Sequence, residues 1–366
     1  MIMKRIVFLG AALTSGGAEH QMTILMDCLI KKGYDVKFVS FSDELDHYVL
    51  NNSVKRIRLA SGKSTLLKVL AVQIYLLRTK MDVLFAFSQR MSVLSLFAML
   101  FRPRVKVISG ERNYTKGRAS KFEKILLRTG IYRRSNYIVP NSYSQGRFLS
   151  SIKPYLKKRI RVITNYTDVE EYKPSSFPNN DILKVGIFCR FEKQKNFVRF
   201  VEAMAKLRET TTKPFHIDWY GNHLFTNPSQ IEYYKEGVSL IEKHKLHDFI
   251  EIHDPTNKVS ELIPTFDVMC LPSIFEGFSN SISEYICCAR PVLCSDVSDN
   301  SVMVHHGENG FLFNPENTDD IVNAFLRFLS LDEDERALMG KRSREIAEQL
   351  FDKNKFIMSY IELINN

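Results

Sequence analysis

Short β-branched runs separated by stretches of helical spacing recur from one end of the chain to the other. In the first half, residues 5–9, 35–40, 54–59, 82–87, 104–109 and 137–139 predict strands. Between them, 19–32 carries apolar residues at 22, 25, 26, 29 and 30, and 64–78 carries them at 66, 67, 70, 74 and 77, the spacing of one helix face. The series restarts in the second half, with strands predicted at 183–188, 215–220, 249–253, 268–271 and 292–295 and helices near 196–209 and 229–243. After Asp320 the pattern is helical to the end. Such alternation implies α/β architecture, with parallel sheets covered by helices on both faces.

Length adds a domain count, since 366 residues suit two domains. The polar, proline-punctuated run from Pro174 to Asn180 is the best linker, which gives an amino-terminal domain at 1–175 and a carboxyl-terminal one at 176–352. The last helix, within 353–366, exceeds what a second domain needs and is expected to pack back on the first.

Composition narrows the class. Six cysteines without a C-x-x-C pair or a histidine at zinc spacing read as reduced, packed thiols. The start of the chain shows no signal-peptide pattern, and the longest apolar stretch, 93–101, is far shorter than a membrane span and reads as a buried or interfacial helix. A cytoplasmic protein is expected. Net charge is +10, yet it is divided unevenly: 31 Lys and Arg face 12 Asp and Glu up to residue 175, and 20 face 29 after it. Between Arg102 and Arg161, 17 basic residues meet only Glu111 and Glu123. That field suits anionic lipid or nucleic acid, or is a solvated basic surface. No nucleic-acid recognition motif accompanies it, so nucleic acid is not expected as a partner.

Candidate chemistry concentrates in three places. Pro272-Ser273-Ile274-Phe275-Glu276-Gly277-Phe278-Ser279-Asn280-Ser281-Ile282-Ser283-Glu284 follows a buried strand. The backbone of Gly277, Phe278 and Ser279 beside a helix start suits a diphosphate, and the carboxylates of Glu276 and Glu284 suit sugar and ribose hydroxyls on either side. The simpler reading takes Ser281-x-x-Glu284 as a capping box, which leaves Glu276 and the glycine unexplained. Arg190 and Lys195 also follow a strand, with Asn196 as N-cap, and suit the charge of a leaving diphosphate. Ser15-Gly16-Gly17-Ala18-Glu19 after the first strand lets backbone approach a ligand. Gly62-Lys63-Ser64 lacks the first glycine of a P-loop and is set aside.

Together these residues resemble the retaining glycosyltransferases of family four, which have the GT-B fold of two facing Rossmann-like domains with an interdomain cleft. The family's E-x7-E motif reads as Glu276 to Glu284, its Arg and Lys as Arg190 and Lys195, and its G-G-A-E as Gly16-Gly17-Ala18-Glu19. The resemblance implies that Glu276 contacts the donor sugar, Glu284 the ribose, and Arg190 with Lys195 the diphosphate, which Gly16 and Gly17 approach from the other domain. The base would lie near Ile252-His253-Asp254. Where relatives place a catalytic-site histidine this chain has Glu111-Arg112-Asn113, which become the acceptor-side candidates. Where relatives often show Gly-Gly it has Val297-Ser298.

The expected reaction moves a hexose or N-acetylhexosamine from a nucleotide sugar, a UDP-sugar, to a glycan or lipid-linked saccharide at an anionic membrane, in capsule or lipopolysaccharide biosynthesis. Neither metal nor other cofactor is expected. A sugar-nucleotide epimerase built on the same donor site is the alternative enzyme.

Overall fold

Strand order is the same in both halves of the chain, and each sheet is wholly parallel. The computed structural model describes residues 3–14, 16–42, 46–59, 63–112, 121–178 and 180–366, with 121–123 as backbone only. The first sheet contains β1 (Arg5–Leu9), β2 (Asp35–Ser40), β3 (Lys55–Arg58), β4 (Val83–Ala86), β5 (Lys106–Glu111) and β6 (Tyr137–Pro140), ordered β3-β2-β1-β4-β5-β6. Its connections carry α1 (Gly17–Lys31), α2 (Thr65–Arg78), α3 (Gln89–Met99), α4 (Lys121–Thr129) and α5 (Tyr143–Ile152). The second contains β7 (Leu183–Phe188), β8 (Phe215–Tyr220), β9 (Ile250–His253), β10 (Val268–Leu271), β11 (Val292–Ser295) and β12 (Gly310–Phe313), ordered β12-β11-β10-β7-β8-β9. Around it run α6 (Phe197–Thr210), α7 (Pro228–Lys243), α8 (Val259–Leu262), α9 (Asn280–Cys287), α10 (Asn300–Met303), α11 (Thr318–Ser330) and α12 (Glu333–Leu350), before a last helix, α13 (Lys353–Asn365).

Every strand predicted from the sequence is present, displaced by at most two residues at either end. The strand that the pattern missed, β12, is four residues long and begins on Gly310, where a Cβ would collide with the Val292 carbonyl of the neighbouring strand. A second difference concerns α2. The apolar positions at 66, 67, 70, 74 and 77 do not face the core; all five are exposed, and the fully buried residues of this helix are Val72 and Leu76.

Contacts divide the chain into one unit of Met1–Tyr166 with Lys353–Asn366 and another of Thr167–Asp352. Within the first unit, the end of α13 is capped by two lysines, Lys4 and Lys106, whose Nζ atoms each donate to the Ile364 carbonyl at 2.9 Å. They satisfy a helix end that would otherwise lack partners. The run from Pro174 to Asn180 lies in the second unit, where Arg290 Nη2 donates to Ser175 Oγ and the Ser176 carbonyl at 3.0 and 3.1 Å. The second unit's core gathers Trp219, Phe191, Phe197 and Phe200 on one side of its sheet. Among the described residues, no helix is long and apolar enough to cross a membrane. All six cysteines are free, and burial pushes the thiols of Cys270, Cys287 and Cys294 well up.

Candidate active site

In the second sheet β7 lies between β8 and β10, and the chain leaves β7 towards β8 but leaves β10 towards β11. The connections part at this point, which is where open α/β sheets bind ligands. Both loops singled out in the sequence begin here, one after β7 and the other after β10.

Hydrogen bonds fasten these loops together. Gln194 Nε2 donates to the Phe275 carbonyl at 2.9 Å and the Ile274 amide donates to the Gln194 carbonyl at 2.8 Å. Asn196 adopts a left-handed conformation, φ 62°, and turns the chain into α6. Its side chain does not cap that helix as expected; it donates to the Pro315 carbonyl at 2.8 Å. The result brings Lys195 Nζ to 2.5 Å from Glu276 Oε1, with the two side chains only 13% and 10% exposed. Burial works against the ammonium, but the Glu276 charge, the neighbouring Cys189 and the hydrogen bond to Glu276 together exceed it and the Lys195 pKa is raised. Arg190, 61% exposed, reaches Glu192 at 3.0 Å. Cys189 lies in the field of all four charges, yet burial pushes its thiol up to about 12. It stays a protonated spacer.

The start of α9 is built differently from the capping-box reading. Ser279 is the N-cap and accepts from the Ile282 amide at 3.4 Å, while Ser281 Oγ donates to the Phe188 carbonyl at 3.1 Å. With the Phe188 amide donating to Tyr285 Oη at 2.9 Å, α9 is docked on the end of β7. Glu284 is thereby freed from a capping role and lies against Tyr172 and Glu171. Burial pushes its carboxyl up to about 8, the Glu171 charge adds to the shift, and a hydrogen bond with Tyr172 opposes it. The Glu276 amide donates to Ser298 Oγ at 3.4 Å, and Ser298 has φ 54°, a conformation that favours glycine. The sequence marks this position only as a departure from relatives; the structure places it on Glu276.

The remaining candidates lie beside the start of α9 and in the first unit. Phe278 is buried edge-on to Phe351. Gly16 is the N-cap of α1 and Gly17 its first residue, and the Glu19 carboxylate lies over Gly16, where a Cβ would strike it. Glu111 is wholly buried with its carboxylate accepting from Gln89 Nε2 at 2.7 Å. Arg112 donates to Asn165 Oδ1 at 3.2 Å and to Tyr360 Oη at 2.8 Å, with its guanidinium 4.2 Å from the Phe87 ring centre. Both acceptor-side candidates are thus engaged by their own unit, and Asn113 lies outside the described residues.

His253 closes a row of stacked rings across three strands: Phe188 to Tyr220 at 4.8 Å and Tyr220 to His253 at 4.3 Å. Its Nε2 is 2.6 Å from Asp218 Oδ1. Strand alternation and the Asp218 to Glu251 register also bring His216, Asp218 and Glu251 together, with ligand atoms within 4.8 Å of one another. Such a set could hold a divalent cation, and nothing in the sequence pattern singled it out.

Comparison with known proteins agrees with this layout. Residues 15–171 match the family model Glycosyltransferase Family 4 and residues 168–346 match Glycosyl transferases group 1. The chain belongs to this glycosyltransferase family. Its two sheets have the GT-B architecture: the structure of Anabaena HepE in complex with UDP and glucose is similar with a TM-score of 0.81 and 18% identity over 99% of both chains. In sequence the chain is 22% identical over 363 residues, 94% of each protein, to the N-acetylgalactosamine-N,N'-diacetylbacillosaminyl-diphospho-undecaprenol 4-alpha-N-acetylgalactosaminyltransferase of Campylobacter jejuni. It is 23% identical over 302 residues to the amylovoran biosynthesis glycosyltransferase AmsD of Erwinia amylovora, covering 80% of this chain and 81% of that one.

Proposed function

We propose that the protein is a retaining hexosyl- or N-acetylhexosaminyltransferase that takes its sugar from a UDP-sugar and delivers it to a lipid-linked glycan. One observation carries the donor site: Lys195 and Glu276, distant in sequence, form a nearly buried ion pair where the sheet's connections part. The pair holds a cation for the diphosphate and a carboxylate for the sugar hydroxyls in one place, and the start of α9 adds aligned amides. The acceptor hydroxyl attacks the anomeric carbon on the face that the nucleotide leaves. The carbon–phosphate-oxygen bond breaks, the departing diphosphate takes the hydroxyl proton, and the new glycosidic bond forms on the same face. Lys195, exposed Arg190 and the α9 amides offset the growing negative charge, so the step needs no metal. Glu284, turned towards Tyr172, takes the ribose.

The choice of acceptor is supported by the C. jejuni relative, whose name specifies a diphospho-undecaprenol saccharide, and the choice of UDP by the HepE complex. The reaction then belongs to cell-surface polysaccharide or lipopolysaccharide assembly, on the cytoplasmic side of the membrane. Incubation with a panel of UDP-sugars and an undecaprenyl-diphosphate saccharide, followed by NMR of the product's anomeric centre, tests this. The expected product keeps the α configuration of the donor. Inversion refutes the retaining step, and conversion of a UDP-sugar without any acceptor identifies an epimerase.

A further inference from the structure

The first unit carries an apolar surface that its own core does not use. In α2 the exposed residues Leu66, Leu67, Leu70, Ile74 and Leu77 fall within an arc of about 100° at the helix repeat. Leu66 is 77% exposed and Leu70 52%. Beside them packs α3, with Gln73 Nε2 donating to the Leu94 carbonyl at 2.9 Å, and the end of α3 adds Phe97, Leu100 and Phe101, the last 78% exposed.

This exposure is held in place by two guanidinium groups. Arg102 donates to the carbonyls of Leu76 and Thr79 at 2.7 and 2.6 Å, which closes the end of α2. Arg134 donates to those of Met99, Arg102 and Val105 at 2.8, 2.7 and 2.7 Å, which closes the end of α3. With both helix ends tied, Leu77, Leu100 and Phe101 cannot fold inward without breaking five charge-assisted hydrogen bonds.

Charge says what covers the surface. From Lys63 to Arg104 the sequence holds seven Lys and Arg and a single acid, Asp82, which is paired with Arg5 at 2.8 Å. Lys63, Arg78, Lys80 and Arg104 are exposed near the apolar stripe. A contiguous apolar patch of this kind marks an interaction site, and a basic rim around it matches an anionic bilayer, whose head groups take the cations while the acyl boundary takes the leucines and phenylalanines.

We propose that the α2 stripe and the α3 tip form one docking face that inserts into the surface of an anionic lipid bilayer. Its purpose, bringing the enzyme to a lipid-carried acceptor, rests on the reading above; its physics does not. The test is flotation of the full chain with vesicles of phosphatidylcholine and phosphatidylglycerol at roughly 7:3, against the double variant Leu70→Glu/Phe101→Glu. Both positions are exposed, so the variant should melt at or above the native temperature. The native chain is expected to float with these vesicles, and the variant's affinity to fall at least about tenfold. In Phe101→Trp, emission should shift to the blue on adding vesicles, since the native Trp219 is buried and blind to them. Turnover of a water-soluble acceptor analogue should be equal in the native chain and the double variant.

Failure of the native chain to float, or equal flotation of the variant, overturns the docking face. So does light scattering that finds a native dimer which the variant dissociates, since the stripe would then join two copies. A native chain that transfers sugar without floating sinks the docking face alone, whereas a native chain that floats but takes sugar from no nucleotide sugar sinks the transferase reading alone.

Discussion

Beyond the carboxyl end of β7 in the second sheet, Lys195 meets a carboxylate at 2.5 Å; at that of β5 in the first, Arg112 meets an amide oxygen, a phenol and an aromatic face. Both sheets run through the same strand order, so topology does not set the difference. In the second unit two loops from neighbouring strands are tied together, and the charges they carry face one another across the point where the connections part. In the first unit Glu111 is consumed by Gln89 and Arg112 by the α13 residue Tyr360, so the charges there hold the unit itself together. A charged residue at a strand end is therefore a candidate for chemistry only after its internal partners have been counted.

The largest expected effect breaks the pair. Lys195→Ala leaves a nearly buried carboxylate uncompensated, which should cost about 3–5 kcal/mol of stability. Turnover should drop by about 10²-fold or more, as for loss of a charge-stabilising donor. Replacing both partners, Lys195→Met with Glu276→Leu, should recover much of the stability and none of the turnover. Denaturant titration beside donor turnover reads both quantities, and a double variant that transfers sugar would end the assignment. Next comes Arg190→Ala. Its exposed side chain should cost no more than about 0.5 kcal/mol, while turnover with saturating donor should still fall about 10²-fold. Unchanged turnover would make Arg190 a surface cation like many others.

Much of this pair was legible in the sequence, and its geometry was not. Strand patterns fixed the loops that carry Lys195 and Glu276, because each follows a run of buried apolar residues. Their meeting depends on β7 and β10 being neighbours, which no local pattern reports. Periodicity also identified α2, yet it could not tell which face is covered: 66, 67, 70, 74 and 77 satisfy the helical spacing while facing outward. His216, Asp218 and Glu251 escaped notice for the related reason that their proximity comes from a register between two strands. Glu284 was visible as half of a motif, but its proton depends on Tyr172 and Glu171, brought to it by a segment that the sequence marked as leading into a linker.

That proton supplies a smaller effect of defined sign. The folded chain keeps Glu284 protonated up to about 8, whereas an unfolded glutamate ionises near ~4.3. The folded state therefore binds more protons across this window, and stability is full below the lower value and declines as pH rises towards the upper one. Glu284→Gln cannot ionise. It should melt like the native chain near about pH 5 and above it near about pH 8.5, so thermal melts of the two forms across that range decide the matter. Parallel curves would show that Glu284 ionises freely. For contrast in the first unit, Arg112→Met should lose about 1–3 kcal/mol through its bonds to Asn165 and Tyr360. Acceptor KM should stay unchanged, and a raised KM would return Arg112 to the acceptor side.

Removal of divalent ions is expected to change nothing. If Lys195, Arg190 and the α9 amides supply all the positive charge that the leaving diphosphate requires, turnover after exhaustive treatment with EDTA should equal that before it. The cluster of His216, Asp218 and Glu251 gives the experiment its force, because it is a place where a divalent ion could be held on the same sheet. A site of mixed imidazole and carboxylate ligands would favour zinc or another transition ion over magnesium. Loss of turnover on chelation, restored by zinc but not by magnesium, would point to that cluster. Asp218→Asn should then abolish the restoration, and the role of His253 would pass from the nucleotide base to the metal's surroundings, since its imidazole already bonds Asp218 at 2.6 Å. Equal turnover with and without chelator would leave the charge balance to Lys195, Arg190 and the start of α9.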